Sequence, residues 1–358
     1  MEQFYCKTKI YAGPGTINTL ANMQLQRLLV VTDPYFTQKG IAQKIGQMAA
    51  QTEYFSQVQP DPSVELAARG AKLVQTFQPD TVVALGGGSV MDCAKAMVYF
   101  GKQKVRFIAV PTTSGSGSEV TDFAILTHEQ VKYPLVDRDI CPDIAILDSD
   151  LLRELPPKLI ADTGFDVLSH ALEAYVAKNA GAISKALAKD AFCTVYGGLS
   201  ASYNGNTAIR QKIHTAATMA GMAFSNGGLG LCHALSHTLG GTFHLPHGRL
   251  NAILLPEVIR CNAYTAQESY AQLARSAGLG GQADSLAVRN LINALIRLRK
   301  QLQMPATLAQ AGIDPARVRQ QADRIIAATL ADPCCQTNPI EVEAFMVRSL
   351  LDAVTGHV

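Results

Sequence analysis

Histidines are concentrated in one short stretch of the chain, with the sequence LCHALSHTLGGTFHLPHG. Four of the eight histidines, His233, His237, His244 and His247, fall within fifteen residues there. His233 and His237 are four residues apart on a predicted helix, so their side chains share a face. His247 follows a Gly-Gly pair, after which the chain can turn back towards that face. Clustered imidazoles of this kind predict a metal site.

An aspartate and a histidine repeat this spacing on an earlier predicted helix. Asp166 and His170 are four residues apart in DTGFDVLSHALEAY, so their side chains project together. One carboxylate with three or four imidazoles, and no thiolate, matches divalent iron or zinc and disfavours calcium. Spacing alone leaves open which of the clustered histidines complete the ligand set.

The histidine pair does not form the motif of a zinc protease. His233 and His237 enclose the sequence HALSH, whereas the protease motif HExxH needs its glutamate as a general base. Peptide hydrolysis is therefore not predicted. The remaining chemistry is that of a Lewis acid, which suits hydride transfer if the chain also binds a nicotinamide cofactor.

Two segments rich in glycine and hydroxyl side chains follow predicted strands in the first half of the chain. ALGGGS, residues 84–89, opens a helix and would present backbone N–H groups to a phosphate. PTTSGSGSE, residues 111–119, follows the next strand. Either segment alone is also explained as a steric turn or a flexible loop. Together they lie where α/β sheets bind ligands, and they predict a dinucleotide site.

Asp33 ends another predicted strand. A carboxylate at this point can accept hydrogen bonds from an adenosine ribose and repel a 2′-phosphate, which favours NAD over NADP. From position alone, an aspartate before Pro34 is more simply interpreted as a turn or helix-capping residue.

The elements that must position these residues follow two different patterns. Over residues 1–152, short apolar runs alternate with helical patterns, which predicts a Rossmann-like parallel sheet. Over residues 153–358, the apolar residues recur with helical period, which predicts an all-helical domain that carries the metal ligands. No Gly/Ser linker separates the two domains, so we expect them to pack directly, with the active site in the cleft.

Composition excludes several other classes of partner. The 31 basic and 29 acidic residues are scattered and give a net charge of +2, so neither nucleic acid nor an anionic membrane is an expected partner. The N-terminus lacks a signal-peptide pattern, and no apolar run reaches the ~18–20 residues of a membrane span. We therefore expect a cytoplasmic protein. The eight cysteines include no CxxC pair and are expected to be reduced thiols.

Five motifs together resemble the iron-containing, or group III, alcohol dehydrogenase family. They are, in order, ALGGGSVMDCAK, VPTTSGSGSEVT, VKYPL, ADTGFDVLSHALEAY and GLCHALSHTLGGTFHLPHG. The resemblance extends from about Lys9 to the C-terminal helices. GGTFHLPHG and the short chain are most similar to the 1-propanol and ethanol dehydrogenases of propanediol or ethanolamine utilisation. Small departures are Phe165, where methionine is usual, and Ser116, where threonine is usual.

The resemblance implies both an architecture and an activity. The architecture is a nucleotide domain followed by a helical metal domain, as in dehydroquinate synthase. The activity is the interconversion of a short-chain primary alcohol and its aldehyde, such as 1-propanol and propanal or ethanol and acetaldehyde, with NAD and Fe²⁺ or, in some members, Zn²⁺. A homodimer, associated with a bacterial microcompartment in the propanediol type, is also implied.

The resemblance also implies roles for individual residues. The metal ligands are Asp166, His170, His233 and His247, and His237 lies beside the nicotinamide, where we expect it to relay the proton to solvent. The implied cofactor-binding residues are Asp33, Gly87, Gly88, Ser89, Asp92, Thr112, Thr113, Ser116 and Lys132.

Two other functions are compatible with this architecture. A dehydroquinate-synthase-like or polyol-type enzyme would also use a metal and NAD. A phosphorylated acidic substrate, however, needs several Lys or Arg residues around the metal, and the sequence places mainly Arg249 there. A non-catalytic scaffold would not need the complete ligand set.

Overall fold

The computed structural model describes residues 3–129 and 131–356, which form two compact units that divide between Leu155 and Pro156. The sequence predicted the boundary at residues 152/153. The N-terminal residues as far as Tyr5 group with the second unit rather than the first. Two hydrogen bonds to Asn226, a residue of the second unit, account for this grouping: Tyr5 N donates to Asn226 Oδ1 at 2.7 Å, and Asn226 Nδ2 donates to Tyr5 O at 3.1 Å.

The first unit contains a six-stranded parallel sheet in the order β1-β8-β5-β4-β2-β3, and a separate antiparallel hairpin, β6-β7. Its elements are β1 (Lys9–Ala12), β2 (Leu25–Thr32), α1 (Pro34–Gln38), α2 (Ile41–Gly46), β3 (Ala49–Phe55), α3 (Val64–Phe77), β4 (Thr81–Gly86), α4 (Gly88–Gly101), β5 (Arg106–Pro111), β6 (Phe123–His128), β7 (Val131–Val136) and β8 (Ile144–Leu147).

The central strands are buried on both faces, as expected for a parallel sheet covered by helices. Val82 and Ala84 of β4 belong to the core beneath α3 and α4, whereas Val83 and Leu85 belong to the core on the opposite face. The uninterrupted apolar run TVVAL follows from this two-sided burial. The predicted parallel α/β fold is confirmed.

The strand order reverses between β2 and β4. From β2 the chain adds β3 on one side, and then returns to place β4 on the other side. Parallel sheets bind ligands outside the carboxyl ends of the strands at such a point. Asp33 follows β2 and Gly87 follows β4, so these two predicted cofactor-binding residues flank this position.

The second unit is helical, as predicted. Its helices are α5 (Pro157–Val176), α6 (Ala182–Tyr203), α7 (Arg210–Gly227), α8 (Leu231–Phe243), α9 (His247–Ser276), α10 (Asp284–Gln301), α11 (Pro315–Ala331), α12 (Cys334–Thr337) and α13 (Ala344–Thr355). Helix α5 is buried along most of its length. Within the residues that the structure describes, none of the helices is both long and apolar enough to cross a bilayer.

Candidate metal centre

Helices α5 and α8 bring three of the predicted ligands together in the second unit. Asp166 and His170 project from one face of α5, and His233 projects from the first turn of α8. One ligand atom from each of the three residues lies within 4.8 Å of the others. The imidazole rings of His170 and His233 are stacked, with centroids 4.5 Å apart. The side chains of Asp166 and His170, which were expected to project together from one helix, therefore do lie together, with His233 beside them.

Glu173 fixes the orientation of His233. Its Oε2 lies 2.6 Å from His233 Nδ1, and its Oε1 accepts a hydrogen bond from the backbone N of Cys232 at 2.7 Å. Because an ionised carboxylate only accepts hydrogen bonds, His233 carries its proton on Nδ1. Nε2, which lies 3.8 Å from Asp166 Oδ1, is then the ring nitrogen left to bind a metal. Glu173 was not predicted as a site residue, although it stands one turn beyond His170 on the same face.

Asn251 of α9 holds the carboxylate of Asp166. Its Nδ2 donates to Asp166 Oδ1 at 2.9 Å, and its Oδ1 accepts from the Ser236 hydroxyl. Asn251 is fully buried, so its amide is held in place and orients the carboxylate. Asn251 was not predicted either, because nothing in its local pattern distinguishes it from a core asparagine.

The electrostatics of the cluster favour a cation. Burial opposes ionisation of Asp166, but the charges of His170 and His233 outweigh it and hold the Asp166 pKa below its usual range. Burial likewise lowers the pKa of His233, but the nearby carboxylates of Asp166 and Glu173 outweigh it and raise the pKa to about 9, so a metal would displace the proton from Nε2 on binding. An ionised, buried carboxylate facing oriented imidazoles is a donor set that fits divalent iron or zinc.

His247 is the first residue of α9 and lies beside this cluster. Its ring centroid is 5.0 Å from that of His237, and its charge contributes to the low pKa of Asp166. His244, in contrast, is exposed and ends α8 in the left-handed conformation, with φ of 57°. Spacing could not rank the four clustered histidines, and in the structure His244 and His247 differ in position, with His247 the one whose charge acts on Asp166.

His237 is held by a second carboxylate. Its Nδ1 lies 2.8 Å from Asp332 Oδ2, at the C-terminal end of α11. Burial raises the pKa of Asp332, but the hydrogen bond and charge of His237 lower it to about 2. Asp332 therefore stays ionised and fixes the His237 proton on Nδ1. Asp332 was not predicted as a site residue, because it lies 95 residues away along the chain.

The two predicted phosphate segments of the first unit lie side by side. A Cβ added to Gly87 would come within 3.2 Å of Thr113 Oγ1, and a Cβ added to Gly88 within 3.1 Å of Ser116 Oγ. Thr112 N donates to Gly86 O at 3.0 Å. These contacts bring hydroxyl groups to the N-terminus of α4, a helix of 14 residues, where an anion is favoured. Ser89 lies in the first turn of the same helix.

Asp92 and Lys95 of α4 hold the second segment, residues 111–119, through hydrogen bonds with Ser118. Asp92 Oδ1 accepts from Ser118 Oγ at 3.1 Å, and burial raises the Asp92 pKa to about 6. Lys95 is fully buried and donates to Ser118 Oγ at 2.9 Å and to Thr121 Oγ1 at 3.0 Å. In this structure Asp92 therefore supports the loop that carries the hydroxyl groups.

Asp33 and Lys132 lie at other points of the first unit. Asp33 caps α1, because its Oδ1 accepts from Tyr35 N at 2.9 Å and from Phe36 N at 3.2 Å. Lys132 of β7 forms an ion pair with Asp61 at 2.7 Å. The capping interpretation of Asp33 is thus confirmed, while its predicted contact with ribose stays a prediction.

Comparison with known proteins matches both units to one family. Residues 7–149 match the model described as iron-containing alcohol dehydrogenase, and residues 160–355 match the C-terminal model of the same family. The chain belongs to the iron-containing alcohol dehydrogenase family. The resemblance seen in the five motifs is confirmed, and this alcohol dehydrogenase is an oxidoreductase.

Individual relatives of this alcohol dehydrogenase cover nearly its whole length. It is 36% identical to an NADPH-dependent butanol dehydrogenase of Clostridium saccharobutylicum, over 99% of this chain and 98% of that protein. It is 38% identical to the 1-propanol dehydrogenase PduQ of Citrobacter freundii, over 98% of this chain and 99% of that protein.

Solved structures show the same fold. The iron-containing alcohol dehydrogenase of Thermococcus thioreducens has a TM-score of 0.93 and 33% identity, over 99% of this chain and 100% of that chain. The sulfoacetaldehyde reductase of Bifidobacterium kashiwanohense, solved in complex with NAD⁺, has a TM-score of 0.88 and 26% identity, over 99% of this chain and 98% of that chain.

The cysteine next to His233 does not join the donor set of this alcohol dehydrogenase. Cys232 is fully buried, and burial together with the charge of Glu173 raises the pKa of its thiol well above the ordinary value. Its Sγ lies 3.6 Å from Asn251 Oδ1, and it is not one of the residues whose ligand atoms cluster with Asp166. The nitrogen and oxygen donors that remain suit iron, which agrees with the family.

Proposed function

We propose that this alcohol dehydrogenase interconverts a short-chain primary alcohol and its aldehyde with NAD(H), using a divalent metal held by Asp166, His170, His233 and His247. The observation that carries the proposal is the buried cluster of Asp166, His170 and His233, with His233 Nε2 made available by Glu173. When bound, the metal supplies a Lewis acid that polarises the substrate oxygen. Fe²⁺ is the proposed ion, and Zn²⁺ fits the same donors.

His237 is the proposed proton relay. With its proton held on Nδ1 by Asp332, its Nε2 can accept the hydroxyl proton of the alcohol during oxidation, or return one during aldehyde reduction. Its side chain is partly exposed, at 27%, so the imidazole can exchange that proton with solvent. A covalent intermediate is not required, and no nucleophilic Ser or Cys is assigned.

NAD is proposed to bind across the carboxyl ends of β2, β4 and β5. Gly87, Gly88 and Ser89 would offer backbone donors to the pyrophosphate, and Thr113 and Ser116 would offer hydroxyls. Asp92 and Thr112 would hold these segments, and Lys132 would lie near the ribose and nicotinamide. Asp33 is proposed to favour NAD. The sulfoacetaldehyde reductase bound to NAD⁺ supports this choice. The butanol dehydrogenase is NADPH-dependent, so activity with NADH should be compared with activity with NADPH.

A short, uncharged substrate is proposed from the relatives and from the surroundings of the metal centre. The matched butanol and 1-propanol dehydrogenases are named for such alcohols. Arg249, the cation that a phosphorylated acidic substrate would use, is already paired with Asp162. A dehydroquinate-synthase-like activity is therefore less well supported.

The decisive experiment combines metal analysis with an activity assay. Enzyme purified without oxygen should contain close to one equivalent of metal per chain and should oxidise NADH when propanal is added. His247→Ala should lose metal and turnover with little change in its circular dichroism spectrum. His244→Ala, which alters an exposed histidine of the same segment, serves as the control and should keep both. Full activity in a metal-free preparation would refute the proposal.

The cellular setting is proposed from the resemblance to propanediol-utilisation enzymes. We propose a cytoplasmic homodimer, with association with a bacterial microcompartment where the host makes one. Light scattering of the purified enzyme tests the dimer, and co-purification with shell proteins tests the association.

A further inference from the structure

The first turn of α9 lies directly against α5. A Cβ added to Gly248 would come within 1.7 Å of the backbone O of Asp162, a distance that no side chain can occupy. Gly248 immediately follows His247, so this close contact is made next to a proposed metal ligand. It requires glycine because the two helix backbones leave no space between them.

A buried ion pair joins the same two places. Arg249 donates from Nε to Asp162 Oδ1 at 3.2 Å and from Nη2 to Asp162 Oδ2 at 2.5 Å. The two side chains are only 15% and 10% exposed. A two-point contact between guanidinium and carboxylate fixes relative orientation as well as distance. Asp162 also precedes Asp166 by one turn of α5, so both carboxylates face α9.

We propose that Asp162, Gly248 and Arg249 form a clamp that positions His247 for metal binding. The inference rests on the proposed role of His247 as a ligand. His247 stands at the end of its helix, where backbone hydrogen bonds are missing and the residues fray. The clamp holds this terminal turn at a fixed place on α5. Asp162 and Arg249 are therefore positioning residues, which act through His247 and not on the substrate.

The test measures metal affinity rather than activity. Zn²⁺ is titrated into the full-length apoenzyme in competition with a chromophoric chelator, and the visible spectrum of the Co²⁺-loaded protein reports the coordination number and geometry of the bound ion. Arg249→Met should raise the Zn²⁺ dissociation constant by roughly 10–100-fold, the usual cost of losing a residue that supports a metal ligand. Its Co²⁺ spectrum should move towards that of His247→Ala.

Matched variants separate positioning from general stability. Arg348→Met removes an exposed ion pair with Asp323 in the same unit and should leave the dissociation constant unchanged. Arg249→Lys keeps the charge but loses the second contact, so its dissociation constant should fall between those of the wild type and Arg249→Met. This variant decides the question if Arg249→Met folds poorly.

Different results would refute the proposed clamp and the proposed function. If His247→Ala weakens Zn²⁺ binding while Arg249→Met and Arg249→Lys bind like the wild type, the clamp is refuted and the metal site stands. If His247→Ala binds Zn²⁺ as tightly as the wild type, His247 is not a ligand, and both proposals are overturned.

Discussion

At the scale of single residues, several polar side chains in this enzyme serve a structural and a chemical purpose at once. Asp33 caps α1 and is also the proposed discriminator between NAD and NADP. Glu173 orients His233 and also caps the first turn of α8 through Cys232 N. Substitutions at such residues change two properties, and only matched pairs of variants can separate them.

Substituting Asp33 with serine and with alanine separates its two roles, which are capping α1 and discriminating between NAD and NADP. Asp33→Ser keeps a side-chain oxygen for capping but removes the negative charge, whereas Asp33→Ala removes both. Both variants should raise kcat/KM for NADP relative to NAD, by on the order of tenfold, because repulsion of the 2′-phosphate is lost. Only Asp33→Ala should lower the free energy of unfolding in urea, by ~1 kcal/mol. An unchanged cofactor ratio in both variants would contradict the assigned role.

Glu173→Gln tests the orientation of His233. A glutamine amide would donate to Nδ1 and so favour the tautomer with the proton on Nε2, the atom that should bind the metal. The Zn²⁺ dissociation constant of the apoenzyme should rise by roughly 10–100-fold. Glu268→Gln, at a glutamate that accepts an exposed hydrogen bond from Gln272, should bind Zn²⁺ normally. Equal affinity in the two variants would rule out this role.

Residue patterns predicted some of these positions and could not have predicted others. Asp166 and His170 were found because the helical repeat fixes i,i+4 neighbours. The choice between His244 and His247 depends on a left-handed residue that ends α8, which the local sequence does not specify. Asp332 reaches His237 only through tertiary packing of α11 against α8, so no local spacing could reveal it.

At the scale of elements, the metal centre depends on how closely α5 packs against its neighbours. A Cβ added to Gly164 would come within 2.2 Å of Leu199 Cδ1 of α6. A Cβ added to Gly197, on α6, would meet no atom within 4 Å. Two glycines in helix interiors therefore have opposite roles, since one permits contact between helices and the other only adds flexibility.

This contrast gives a paired stability experiment. Gly164→Ala should lower the free energy of unfolding by roughly 1–3 kcal/mol, because the added methyl group overpacks the contact between α5 and α6. Gly197→Ala should raise it by up to ~1 kcal/mol, because alanine has the higher helix propensity. Urea unfolding followed by circular dichroism measures both. Destabilisation of equal size in the two variants would contradict this account of the packing.

The elements themselves were predicted unevenly. The buried strands β2, β4 and β5 and the long helices follow from strong apolar periodicity. The edge strand β1 and the hairpin β6-β7 were not predicted, because β1 is short and partly exposed and β7 contains Pro134. Proline is tolerated in a strand where its missing N–H is not needed, so its presence weakened the strand pattern.

At the scale of the whole molecule, every proposed metal ligand lies in the second unit and the predicted cofactor residues lie in the first. An ion that binds only the folded state stabilises it by mass action. Zn²⁺ at 100 times its dissociation constant should stabilise the apoenzyme by about 2.7 kcal/mol. Calorimetry should show a higher Tm for the wild type and little change for Asp166→Asn. A comparable increase in the variant would mean that Zn²⁺ acts elsewhere.

The proposed donors of the metal centre come from α5, α8 and α9, and α6 and α7 separate α5 from the other two helices along the chain. No short segment of the nascent polypeptide holds all four proposed ligands, so we expect the metal to bind tightly only after these helices have docked. Which ion binds then depends on which ions are available in the cell as well as on the affinity of the site for each ion. Enzyme expressed in iron-poor and iron-rich media should accordingly mature with different ions.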